Sequence, residues 1–127
     1  MIDPNKLTEK SQEALVAAQR RASEAGHAQV DVEHLAAALV EQAGGIVPSV
    51  LGAVKVEPRR LLAGLEGELA RQPRVAGNVQ VVASGRLGRV LQQAQNEARS
   101  LGDEYVSTEH LLLAMAADGG WTGQALV

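Results

Sequence analysis

Cysteine is absent from the chain, which removes disulfide cross-links, thiolate nucleophiles and Cys-ligated zinc together. Phenylalanine is absent too, and Trp121 and Tyr105 are the only tryptophan and tyrosine. Without aromatic platforms to stack bases, and without a run of Lys or Arg in a chain of net charge −3, nucleic acid is not an expected partner. No uninterrupted apolar stretch approaches the roughly 20 residues of a membrane span. The opening MIDPNKLTEK has no apolar signal region, so the expectation is a cytoplasmic chain away from membranes. A GxxxxGK[ST] phosphate loop is also missing, so no ATP and no other cofactor is expected in these residues.

What remains is Leu, Val and Ala in a chain that is 46% apolar and 127 residues long, enough for one domain that buries roughly two-thirds of its unfolded surface. Small aliphatic side chains let helices approach closely, so an all-α stack is expected.

The chain says one thing twice. QVDVEHLAAAL, starting at Gln29, returns as YVSTEHLLLAM, starting at Tyr105. At an offset of 76 residues Leu15 pairs with Leu91, Ala18 with Ala94, Gln19 with Gln95, Ala22 with Ala98 and Gly26 with Gly102. Val30 then pairs with Val106, Glu33-His34-Leu35 with Glu109-His110-Leu111 and Ala38 with Ala114, without a gap. Identities in register with a helical period indicate an internal duplication.

Each copy carries the same signals. Leu7, Ala14, Leu15, Ala18, Ala22 and Ala25 draw one apolar stripe, and Leu87, Val90, Leu91, Ala94, Ala98 and Leu101 draw its counterpart. With Thr8 and Ser84 as starts and Gly26 and Gly102 as stops, helices are predicted at about 9–25 and 85–101. The next helices open after Asp31 and Ser107, with Glu33 and Glu109 in their first turns, where a carboxylate favours the positive helix end. They are apolar nearly all round and should be central. Short third helices are predicted at about 46–53 and 121–126, and EPRRLLAGLEGELARQ adds a fourth to the first copy with Pro58 at its first position. Repeat 1 thus covers about 6–70, a linker 71–84 with Pro73 and Gly77, and repeat 2 about 85–127. Repeat 2 reads as ending one helix short of repeat 1, as in a fragment of a longer protein.

The paired Glu-His doublets could in principle place two Glu and two His around a metal. Adjacent helical residues point about 100° apart, however, and the i, i+4 spacing of HExxH is missing. Helix-start chemistry with partly buried histidines is the better reading, with no metal site. His27 follows the helix-ending Gly26 and is expected in solvent.

The EHL pair, the opening KLTEKSQEAL, the P-x-V-x-G of PRVAG and the string LGDEYVSTEHLLLA together resemble the Clp N-terminal repeat domain, most of all the version found in ClpB disaggregase chaperones. The resemblance covers the whole chain. It implies an all-α fold of two pseudo-symmetric four-helix repeats, the second lacking its last helix here. It implies a non-catalytic module that binds unfolded or aggregated polypeptide for disaggregation and refolding. A monomeric domain is expected, joined to ATPase modules that hold ATP and Mg in a homohexameric parent, with a cooperating chaperone system as a further partner. By the same resemblance Thr8, Asp103 and Glu109 engage substrate. Leu87, Leu91 and Tyr105, with Leu7 nearby, would line an apolar groove, giving weak and sequence-tolerant capture at about 25 cal/mol per Å² buried. Two alternatives stay open: an N-domain that docks adaptors or modified residues for a protease-linked unfoldase, and a small metal-dependent enzyme built on the Glu-His doublets.

Overall fold

Thr8 starts the first helix as the sequence predicts. Its hydroxyl accepts the Ser11 amide at 3.2 Å, and α1 runs Glu9–Glu24 until Gly26 takes φ +75°. Ser84 does the same for α5, Gly85–Ser100, accepting the Leu87 amide at 3.0 Å. Gly102 closes that helix at φ +74°. In the computed structural model, which describes residues 3–75 and 80–126, the remaining helices are α2 (Val32–Glu41), α3 (Val47–Ala53), α4 (Pro58–Ala70), α6 (Thr108–Ala116) and α7 (Trp121–Leu126). A short 3-10 turn, Pro4–Lys6, precedes α1. The fold is the expected all-α pair of repeats, with α1–α4 in the first and α5–α7 in the second among the described residues. Gly77 of the linker and Val127 lie outside them.

Within each repeat the first helix packs on the second, α1 on α2 and α5 on α6. Ala14, Ala18 and Ala22 face inward from α1, and Leu87, Val90, Leu91, Ala94 and Ala98 from α5. Nearly all of α2 is buried, as its all-round apolar pattern predicts, with Leu35 and Leu39 among the largest enclosed side chains. α4 covers α2, with Leu61, Leu65 and Leu69 turned inward. α7 reaches back to repeat 1, and Trp121 lays its indole over Gly64 of α4, where an added Cβ would meet the ring at 2.6 Å.

The sequence pattern does not announce the way the repeats are tied. Two residues of repeat 1, β1 (Gln29–Val30), pair in parallel with β2 (Val82–Ala83) in front of α5. Leu7, in front of α1, pairs in parallel with Val106 in front of α6. The two ties are mates under the 76-residue offset, since Leu7 corresponds to Ala83 and Val30 to Val106. Their hydrogen bonds match as well: the Thr8 amide donates to the Val106 carbonyl at 3.1 Å, and the Ser84 amide to the Val30 carbonyl at 2.9 Å. Pairings of one or two residues are too short to carry an alternating pattern, which is why the sequence is silent about them.

Candidate functional site

The Leu7–Val106 tie decides where the expected site residues meet. Thr8, at the start of α1, lies beside the segment that carries Asp103, Tyr105 and Glu109. The Ser11 hydroxyl donates to the same Val106 carbonyl at 2.9 Å, and the Thr8 hydroxyl donates to Ser11 Oγ at 3.0 Å. The junction is therefore held by side chains as well as backbone. Tyr105 is 47% exposed, and Asp103 and Glu109 are exposed.

Leu87 and Leu91 do not join them. They are 1% and 2% exposed on the inner face of α5, so the groove wall expected of them is core. Leu87, Val90, Leu91, Ala94 and Ala98 are buried on the helix that packs on α6, whereas Leu101, the last residue of the stripe, is exposed. Leu7 is buried as well. The exposed apolar side chains nearest in sequence to Asp103 are Leu101 and Tyr105.

The histidines of the Glu-His doublets have a defined task. Each is the third residue of its helix and closes a capping box, a place usually taken by Glu or Gln. The Asp31 amide donates to His34 Nδ1 at 2.8 Å, and the Ser107 amide to His110 Nδ1 at 2.8 Å. A ring nitrogen that accepts carries no proton, so both rings are protonated on Nε2. His110 Nε2–H therefore donates to Asp103 Oδ2 at 2.8 Å, fixing that carboxylate on the surface. His34 Nε2–H donates to His27 Nδ1 at 2.8 Å. His27 stands at the position of Asp103 under the offset, and it is 5% exposed rather than solvated. Every nitrogen of His34 and His110 is thus engaged in hydrogen bonding, and among the described residues no three His, Asp or Glu side chains gather as a metal cluster.

Glu33 and Glu109 look alike in sequence and differ in place. Glu33 is 2% exposed and forms two bonds to the Arg86 guanidinium, at 3.0 and 3.1 Å. It also accepts the Thr122 hydroxyl at 2.7 Å. Arg86 further reaches Asp118 at 2.6 Å and Asp31 at 3.3 Å, and the Ser84 hydroxyl donates to Asp31 at 2.8 Å. The hydrogen bond to Glu33 is the main reason that the Arg86 pKa is raised. Burial pushes the Asp118 carboxyl up, but the bonds from Arg86 and the Gly120 amide outweigh it and hold its pKa below the usual value. Glu33 is therefore not a helix-end carboxylate in solvent but the anchor of a buried network between repeats. In the mate site Lys10 stands where Arg86 does, and its ammonium donates to the Ala43 carbonyl at 2.9 Å instead. Neither Glu109 nor Asp103 pairs with a Lys or Arg among the described residues. The candidate site is an open copy of the Arg86–Glu33 site.

A tied pair of helical repeats with an unpaired acidic face invites comparison with known proteins, and the model of the "Clp repeat (R) N-terminal domain" matches residues 6–127. The chain belongs to this Clp repeat family. The chaperone protein ClpB of Nitratidesulfovibrio vulgaris is 46% identical over 118 residues, which are 90% of this chain and 14% of that protein. The chain thus spans about one-seventh of the length of that relative. Among solved structures, the N-terminal domain of Hsp104 from Candida albicans superposes with a TM-score of 0.84 at 19% identity, covering 94% of this chain and 79% of that one. The N-terminal domain of the ClpV1 ATPase from the E. coli EAEC Sci1 T6SS gives a TM-score of 0.79 at 26% identity, covering 97% and 72%. No helix among the described residues of this Clp repeat domain is long and apolar enough to cross a membrane.

Sequence reasoning misses His27, Arg86 and Thr122. The first two could be suspected, because His27 aligns with an acidic residue and Arg86 is the cation in the first turn of α5. Thr122 carries no local signal, since its partner Glu33 lies 89 residues away.

Proposed function

We propose that this domain is the client-recognition module of a ClpB-type disaggregase. It would hold exposed segments of unfolded or aggregated proteins for ATP-driven modules elsewhere in a longer chain, where ATP and Mg would bind, and would do no chemistry itself. The observation that carries this reading is the face made by Thr8, Asp103, Tyr105 and Glu109, whose two carboxylates lack the cation that the mate site holds. Glu109 would accept a basic client side chain as Glu33 accepts Arg86. Asp103, fixed by His110, would orient the client backbone, and Tyr105 with Leu101 would supply apolar contact. Exposed ion pairs are worth about 0.2–1 kcal/mol each, which suits a client that must be released.

The test is titration of the domain with a denatured, basic model protein, followed by nuclear magnetic resonance. The double variant Asp103→Asn/Glu109→Gln should bind about two- to thirtyfold more weakly, as expected for two exposed contacts of that size, and Tyr105→Ser should lower the salt-resistant part. A folded variant carrying all three substitutions that binds as well as the parent sinks the assignment. The likeness to a ClpV N-domain solved in complex with a VipB peptide supports one second reading, docking of a dedicated partner or adaptor segment rather than an unfolded client. A domain that ignores denatured protein at every salt concentration leaves that reading standing.

A further inference from the structure

At the other end of the pseudo-symmetric pair the hydrogen-bonded chain from the helix start ends differently. In repeat 2 it runs from the Ser107 amide through His110 and stops at the Asp103 carboxylate, an acceptor. In repeat 1 it runs from the Asp31 amide through His34 to His27 Nδ1. Because His27 Nδ1 accepts, its proton is on Nε2, and that N–H is still free to donate. His27 is more than nine-tenths buried and lines a cavity of about 380 Å³ with His34, Ala25, Leu69, Arg21 and Arg74.

The charges around this cavity are unequal in availability. Arg21 pairs with Glu41 and reaches Glu66 at 4.0 Å, so its charge is largely answered. Arg74 gives only its Nε–H to the Ala25 carbonyl, at 2.9 Å, and has no carboxylate partner among the described residues. It is pinned there because the next residue, Val75, donates its amide to the Gly26 carbonyl at 2.8 Å. One spare guanidinium, one spare imidazole N–H and a partly apolar wall of Ala25, Leu69 and Ala70 call for a single negative charge on an apolar body. Glu66, which also lines the cavity, repels a phosphate dianion more strongly than a monoanion.

We propose that this cavity is a second binding site, independent of the Asp103–Glu109 face, for a peptide carboxylate held between the Arg74 guanidinium and His27 Nε2–H. Arg–carboxylate bonds are charge-assisted and directional, and the imidazole N–H adds a second donor from a position that cannot relax, because the ring is packed against His34 with centroids 5.1 Å apart. The two ends of the domain then take opposite charges, basic groups at repeat 2 and acidic groups at repeat 1.

The experiment titrates the ¹⁵N-labelled domain with acetyl-Leu-Ala-Leu bearing a free C-terminal carboxylate, with the same peptide amidated, and with inorganic phosphate. None contains a basic group, and any apolar contact at the Asp103–Glu109 face would shift Leu101 and Tyr105 rather than Ala25, Leu69 and Arg74, so failure of one site is not confused with failure of the other. The free carboxylate should shift the amides of Ala25, Leu69 and Arg74 and the His27 ring signals, whose ¹⁵N pattern should report the proton on Nε2. The amidated peptide should bind at least fivefold more weakly. Arg74→Gln, an exposed substitution that leaves the core alone, should reduce carboxylate binding by at least fivefold, and Arg74→Lys should restore part of it. Equal binding of acid and amide, phosphate binding as tight as carboxylate, or a His27 proton on Nδ1 would each overturn the proposal.

Discussion

His34 takes the Asp31 amide on one nitrogen, gives a proton to His27 from the other, and is enclosed on every side. Its pKa is lowered to about 4, first by burial and next by the neighbouring His27, with Arg21 adding to the fall and Asp31 and Glu33 opposing it. The His27 pKa is lowered too, by burial and then by Arg74. Above the ordinary histidine value of 6.5 both folded and unfolded chains carry the neutral ring, and the stabilisation is fully present. As pH drops below that value the unfolded chain takes up a proton that the folded chain refuses, so stability declines toward pH 4 and then levels in this contribution. The melting temperature should therefore fall across this window. His34→Gln keeps an acceptor for the Asp31 amide while removing the titrating ring, and it should flatten the curve there. An unchanged slope would locate the pH dependence elsewhere. None of this is legible in the doublet itself, because the partner that lowers the pKa and the depth of burial are set by the packing of α2.

Elements, by contrast, were largely readable. Thr8, Ser84, Asp31 and Ser107 mark the starts of α1, α5, α2 and α6, and Gly26 and Gly102 the turns after α1 and α5. Each is a local steric or hydrogen-bonding requirement. What local sequence could not give is the fate of identical residues in the two copies, since Glu33 and Glu109 are distinguished by whether Arg86 or Lys10 lies opposite, more than 50 residues away. The buried network yields a prediction for α5. Arg86→Leu leaves Glu33 without its cation and should destabilise the domain by about 3–5 kcal/mol. The double variant Arg86→Leu/Glu33→Leu should recover a large part, by denaturant titration. A second prediction belongs to the α4–α7 contact. Gly64→Ala gains about 1 kcal/mol of helix propensity but forces the rigid indole of Trp121 away, at about 1–3 kcal/mol for overpacking. Net destabilisation of about 1 kcal/mol is expected, with a red shift in the emission of the only tryptophan. A stabilised variant with unchanged emission would contradict the contact.

For the molecule as a whole, the repeat was visible in the sequence and the use of its faces was not. The stripe of Leu87 and Leu91 suits a groove and a core equally well, and only the seating of α5 on α6 decides for core. Leu113 makes the converse point. It is half exposed whereas its mate Ala37 of α2 is fully buried, and α2 packs on α4 while no counterpart of α4 is present on α6 among the described residues. Its exposure therefore says nothing about a client.

The crossed ties have a consequence for the history of such a chain. Leu7 reaches Val106 and Ala83 reaches Val30, so the parallel pairing of each first helix's lead-in is with the other repeat. That is the reciprocal contact of an isologous dimer, in which i meets j and j meets i, written into one polypeptide. An ancestral single repeat would have met its own copy across a twofold axis through these same backbone groups. Fusion would then have freed the two halves to diverge, one becoming the closed arginine–glutamate pair and the other an acidic face without a paired arginine.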